Sequence, residues 1–280
     1  SREEKPMLDY IFSVFASPVF VPAIVVGCLV SLCSALLGVS LVLKRYSMIG
    51  DGLSHVGFGA MSVAAVLNLA PLWVAVPVMI LTAFLLLRLS ENSKLKGDSV
   101  IALISSSAVA VGLIAAHISG TNRAVDSYLF GSIVAVGKND MYVSIALSAV
   151  VLALYLIFYN RIFAVTFDES SARANGVRAG AYNILIALLS AITIVVGMRL
   201  MGTLLISGLI VFPAISSMRV FKSYRGVVIS SAIISVLCFL AGFILACFDL
   251  PTGASIVIAD LAVFLVFSLV GFLRKKVEKK

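Results

Sequence analysis

Residues 18–62 read PVFVPAIVVGCLVSLCSALLGVSLVLKRYSMIGDGLSHVGFGAMS. An apolar run of 26 residues (18–43) stops at Lys44-Arg45, and a second apolar run begins at once. Inside that second run stand a carboxylate, Asp51, and one of only two histidines in the chain, His55. A helix that crosses the ~30 Å hydrocarbon core of a bilayer needs about 20 apolar residues. The stretch therefore reads as two membrane helices joined by a basic turn.

The rest of the chain has the same character. Its 280 residues are 61% hydrophobic and only 12% charged, with mean hydropathy +1.15. A soluble domain carries roughly twice that share of charge. Apolar runs at 18–43, 48–70, 72–89, 98–117, 140–160, 181–199, 202–219, 226–247 and 253–273 predict an all-α polytopic membrane protein of eight to nine transmembrane helices. The sixth and seventh runs are separated only by MRLMG, so that pair reads either as two spans or as one broken, re-entrant excursion. The chain then divides into a polar or interfacial segment at 1–17, one transmembrane domain at 18–273, and a basic tail at 274–280. Residues 1–6 are given no function, and the run from Met7 to Leu43 is too long for the apolar core of a signal peptide.

The net charge is +8. In a soluble protein that excess would raise nucleic acid as a partner; here it marks loops. Basic clusters follow every odd span: Lys44 and Arg45; Arg88, Lys94 and Lys96; Arg161, Arg173 and Arg178; Arg219, Lys222 and Arg225; and Arg274 onward. By the positive-inside rule the first span starts outside and the C-terminus is cytoplasmic. Cys28, Cys33, Cys238 and Cys247 fit no metal pattern and read as small packing residues.

Two loops exceed a turn. The outer one, 119–140, contains SYLFGSIV, read as a short helix at the interface. The inner one, FDESSARANGVRAG at 167–180, places Asp168 and Glu169 at the start of a short helix that Gly176 can end. That helix is too polar for lipid, which points to docking of a cytoplasmic partner.

Asp51 and His55 are four apart and share a helix face. Carboxylate oxygen and imidazole nitrogen both bind divalent transition metals, the imidazole only when neutral. Two ligands fall short of the four that Zn²⁺ usually takes, so a second copy of the chain, other helices or water would complete the shell. Gly50, Gly52, Gly57 and Gly59 allow close helix packing beside the pair. The bland readings are an N-cap for Asp51 and a hydrogen bond to a neighbouring helix for His55. Asp260, deep in the last run, and His117, at the outer end of the fourth, are further candidates for the metal path. Arg199 is read as reaching headgroups or a partner from an outer turn. No GxxxxGK[ST], HExxH, GxSxG or CxxC occurs, so neither an ATP site nor an enzyme is expected on this chain.

Four segments, in order, resemble the bacterial ABC-transporter permeases for zinc, manganese and iron. GDGLSHVGFGAM is similar to their GDALSHAVLPG-type motif, FDESSARANGV to their cytoplasmic FDxxxAxxxG segment, LMGTLLISGLIVFPAISSM to their LLVSALLIIPAA-type span, and DLPTGASIVIA to their PTGPTIVL-type motif. Ala254 stands where the last motif has proline, Gly57-Phe58-Gly59 where the first has PG, and Asp260 where the family is apolar. The resemblance implies the permease architecture of an ABC importer in the bacterial plasma (inner) membrane, surrounded by lipid. It implies a second copy of the chain, a separate ATPase that binds the ATP, and an extracellular or periplasmic metal-binding protein as partners. The cargo would be a divalent ion of manganese or zinc, or of iron, passing Asp51 and His55. Phe167, Asp168, Glu169, Ala172, Arg173 and Gly176 would contact the ATPase, and no cofactor beyond the transported metal would be bound. The competing reading is a self-sufficient secondary transporter or channel for divalent cations.

Overall fold

The computed structural model describes residues 20–92, 97–120, 128–131, 138–246 and 250–278. The N-terminal segment 1–17, Cys247, Lys94 and Lys96 lie outside them. Eleven helices follow in order among the described residues: α1 Phe20–Leu43, α2 Ser47–Val66, α3 Pro71–Asn92, α4 Gly97–Ser119, α5 Lys138–Ile157, α6 Tyr159–Phe167, α7 Glu169–Ala174, α8 Ala179–Met201, α9 Thr203–Val220, α10 Tyr224–Ala246 and α11 Thr252–Glu278. Seven of them (α1, α3, α4, α5, α8, α10 and α11) are long and apolar enough to cross a membrane. The apolar part of α9, Leu205–Val220, is shorter, and α2 carries the acid and the histidine. α11 runs on to Glu278, so it takes in most of the basic segment that begins at 274.

The boundaries follow local chemistry. α1 ends where Lys44 and Arg45 arrive, and Arg45 adopts φ +60° to turn the chain into α2. Pro71 opens α3, where its missing N–H costs nothing. Only Phe158 separates α5 from α6, and only Gly202 separates α8 from α9.

α8 is the most deeply embedded helix, 72% buried over its apolar window against 17% for α11. Lipid is as apolar as leucine, so close packing and hydrogen bonds, not hydrophobicity, hold such helices together. The α1–α10 seam shows both. Ser235 Oγ donates to Ser31 O at 2.9 Å, and Ser231 Oγ to Ala35 O at 3.4 Å. Beside them the Phe239 ring fills the space over Gly27. Cys28, Cys33 and Cys238 are free thiols.

The MRLMG junction resolves as a tight hairpin. Gly202 has φ +84° and its N–H reaches Met198 O at 2.9 Å. Met198 packs on Gly57 near the middle of α2, so the turn comes only ~6 Å further out, by helix rise. Three glycine backbones close over it. Gly131 and Gly202 lie against each other, and Gly253 lies on Met201 O; none leaves room for a Cβ. Of SYLFGSIV, read as an interfacial helix, only Tyr128–Gly131 lies among the described residues: Tyr128–Phe130 is helical and Gly131 packs against this hairpin. The reason is steric: only glycine lets two turns approach backbone to backbone.

Candidate metal path and cytoplasmic coupling site

α2 begins at Ser47 with Tyr46 as its N-cap, so Asp51 is a full turn inside the helix and not a cap. From Ile49 to Ser62 every residue is buried except Asp51 and His55. Neighbouring helices cover the remaining faces. Gly50 faces Ile210 of α9, and Gly57 faces Met198 of α8. Gly52 and Gly59 face α4, where a Cβ would stand 2.6 Å from Ile101 and 2.5 Å from Ala108 O. At 100° per residue, Asp51 and His55 point into the seam between α9 and α4. His55 Nε2 lies 3.7 Å from Asp51 Oδ2, too far for a hydrogen bond and close enough for one ion to touch both. Ser62, one heptad beyond His55 on nearly the same line, is buried, so the seam is open only along the inner half of α2.

The structure does not bring the other candidates to this pair. His117 is exposed near the end of α4. Gly112 meets Gly59, which places His117 nine residues above His55, or ~14 Å along the axis. Asp260 is buried where α11 packs on α9 and α10. Ile210 of α9 faces Gly50, while Gly208, about 200° round the same helix, faces Val257 of α11, so α9 stands between Asp260 and Asp51. The Cys238 thiol lies against the Asp260 carboxyl, whose oxygens have no well-formed hydrogen bond among the described residues. Among those residues no group of three or more His, Cys, Asp or Glu side chains could hold a metal. Arg199 turns inward instead of reaching headgroups: it pairs with Asp140 at 2.5 Å, joining α8 to the start of α5.

On the cytoplasmic side, Asp168 caps α7, accepting from the Ser171 N–H at 3.0 Å and the Ser170 hydroxyl at 2.6 Å. Those bonds hold its carboxyl below the usual range. Asn175 closes the helix and Gly176 turns the chain with φ +78°. Six residues were expected to face a partner, and they divide. Phe167 is 76% exposed, and Asp168, Arg173 and Gly176 are also exposed. Ala172 is buried against Val165, Val177 and Ala179, pinning α7 to the membrane domain.

Glu169 is held from inside by a residue that sequence reasoning took for surface charge. Lys44 Nζ is buried at the end of α1 and donates to Glu169 Oε2 at 3.0 Å, Asn183 Oδ1 at 2.6 Å and Val165 O at 3.1 Å. Asn183 Nδ2 and Arg173 also donate to Glu169, at 3.2 and 2.6 Å. Partial burial pushes the Glu169 carboxyl up, but the hydrogen bonds from Lys44, Asn183 and Arg173 together outweigh it and hold it at about 2. One basic residue after a span looks like any other in sequence. The only signal was that Lys44 sits one residue closer to the apolar run than Arg45.

The chain is similar to known proteins along nearly its whole length. The manganese import system permease protein ScaB of Streptococcus gordonii is 28% identical over 269 residues, covering 94% of this chain and 95% of that protein. The high-affinity zinc uptake system membrane protein ZnuB of Haemophilus influenzae is 27% identical, covering 88% and 95%. The solved structure of PsaBC from Streptococcus pneumoniae in complex with Fab superposes with TM-score 0.84 at 26% identity, over 93% of this chain and 95% of that one. The family model described as ABC 3 transport family matches residues 16–271, and with four motifs in order and a multi-pass helical fold to support it, the chain belongs to that family.

Proposed function

We propose that this chain is the membrane subunit of an ATP-driven importer in the bacterial plasma membrane, carrying a divalent transition-metal ion past Asp51 and His55 into the cell. One observation carries the reading: in an otherwise buried stretch of α2, only a carboxylate and an imidazole are open, on one face and 3.7 Å apart. Relatives described as manganese and zinc permeases support manganese or zinc as cargo, with iron as a third candidate. Membership of an ABC transport family favours an external ATPase over a self-sufficient carrier.

The ion would lose part of its water shell and take oxygen and nitrogen ligands in return. Two protein ligands hold it loosely, which suits cargo that must leave; a second copy of the chain would supply a matching pair across the open seam. A metal-binding protein outside would deliver the ion. Phe167, beside the capped helix α7, would seat in the ATPase and pass its motion to α8 through the Lys44–Glu169–Asn183 contacts.

The test is uptake of radioactive manganese and zinc by cells carrying Asp51→Ala or His55→Ala. Both variants should assemble with the ATPase and transport at background. Normal uptake by either would overturn the assignment of the pair. Phe167→Ala should weaken co-purification of the ATPase by tenfold or more, the scale of an aromatic anchor at an interface. Unchanged co-purification would remove Phe167 from the docking surface.

A further inference from the structure

A cavity of about 520 Å³ opens at the cytoplasmic boundary between α6 and the first turns of α8. Its rim carries two guanidinium groups, Arg161 on α6 and Arg178 just before α8. Both are exposed, and among the described residues neither has an ion-pair partner. The nearby acids are engaged elsewhere, Asp168 in capping α7 and Glu169 with Lys44 and Arg173. The cavity wall is apolar and aromatic. Phe158 and Tyr182 meet edge to face at 5.8 Å, and Leu185 lies about two turns into α8 from the rim. Cations at the rim and an aromatic and apolar wall that follows α8 for about two turns match one kind of molecule from end to end.

We propose that this cavity binds an anionic phospholipid, its phosphodiester held by Arg161 and Arg178 and its acyl chains lying over Phe158 and Leu185. Charge complementarity favours this occupant. The cytoplasmic leaflet is negatively charged and attracts basic groups at its surface, whereas a zwitterionic lipid offers the two arginines no net charge. A guanidinium also matches phosphate geometry through paired N–H donors. Gly176 and Val177 form another part of the wall, so the lipid would sit at the elbow where α7 turns into α8. Nothing in this inference depends on which ion is transported or on the Asp51–His55 assignment.

The test uses the full chain in detergent, delipidated and titrated with phosphatidylglycerol or phosphatidylcholine, with bound lipid read by native mass spectrometry. Phosphatidylglycerol should be retained and phosphatidylcholine lost. R161Q/R178Q should weaken retention about thirtyfold, as expected for removing two cations from an anionic surface. R161K/R178K should restore most of it, and R225Q, which changes a cytoplasmic arginine outside the cavity, should leave it unchanged. Excess inorganic phosphate should not displace the lipid. Photo-crosslinking of a diazirine phosphatidylglycerol to the unmodified chain, independent of any variant's folding, should label Phe158–Arg161 and Val177–Leu185. Equal retention of both lipids, unchanged retention in the glutamine variant, displacement by phosphate, or labelling confined to other helices would each overturn the proposal.

Discussion

Two acid–base constellations lie near the inner end of the bundle, and they are built in opposite ways. Asp51 and His55 come from one helix, stand 3.7 Å apart without a hydrogen bond, and stay open to the outside of the bundle. Lys44 comes from the turn after α1, Glu169 from α7 and Asn183 from α8; they meet at 2.6–3.2 Å and shut water out of the lysine. A buried ammonium unsatisfied by partners would be costly, so Lys44 is fully engaged. A cargo site has the reverse requirement, because ligands already saturated by each other cannot take up an ion. Looseness in α2 and closure at α7 each fit the role proposed for them, and the difference between them can be attacked directly.

The largest effect belongs to the open pair: Asp51→Ala or His55→Ala should drop metal uptake to background with little change in folding, since neither side chain is packed into the core. Next is the packed α8–α9 hairpin. Gly202→Val would force a side chain into positive φ and into the Gly131 backbone, costing roughly 3 kcal/mol or more. It should show as loss of folded protein on size-exclusion chromatography, and a well-folded variant would contradict the packing of the hairpin. The closed constellation comes third. Lys44→Met leaves Glu169 partly buried without its main partner and should cost about 2 kcal/mol, discounted from a fully buried pair because Glu169 keeps some exposure. Faster proteolysis within 167–178 is the expected sign. Arg173→Ala removes a partner whose side chain is 62% exposed, and should cost no more than about 0.5 kcal/mol. If the two variants proved equally susceptible, the division between an inner clasp and an outer strap would fail.

The smallest effect is that of pH on the clasp. Glu169 is held at about 2, below its ordinary 4.5, so its contribution is complete above pH ~4.5 and fades as pH falls from there toward 2. Hydrogen exchange across 169–178 should therefore be protected equally from pH 8 to 5 once intrinsic rates are corrected. Loosening already near pH 6 would mean that Glu169 is not held as described.

The spans were legible because membrane helices declare themselves by length and apolarity. α7 was legible because its cap is local: Asp168, Ser171 and Gly176 all lie within one short segment. The Asp51–His55 face was legible for the same reason, as a spacing of four on one helix. What remained hidden joins distant parts of the chain. Lys44 reaches Glu169 across 125 residues and Asn183 across 139, and Arg199 reaches Asp140 across 59. Nothing in a basic turn says which lysine folds inward. Likewise Asp260 reads in sequence as a further candidate for the metal path, and only the fold places α9 between it and Asp51.

By itself the sequence determined a multi-pass helical bundle, the short polar helix that starts at Asp168 and its one Asp–His face, because each depends on hydropathy or on residues within a turn or two. Tertiary structure alone decided that this face opens at the α4–α9 seam, that Lys44 closes on Glu169, and that Gly131, Gly202 and Gly253 converge on one buried hairpin. In lipid, neighbouring helices are chosen by close backbone approach and by a few polar contacts between distant residues, and neither leaves a periodic mark on the chain.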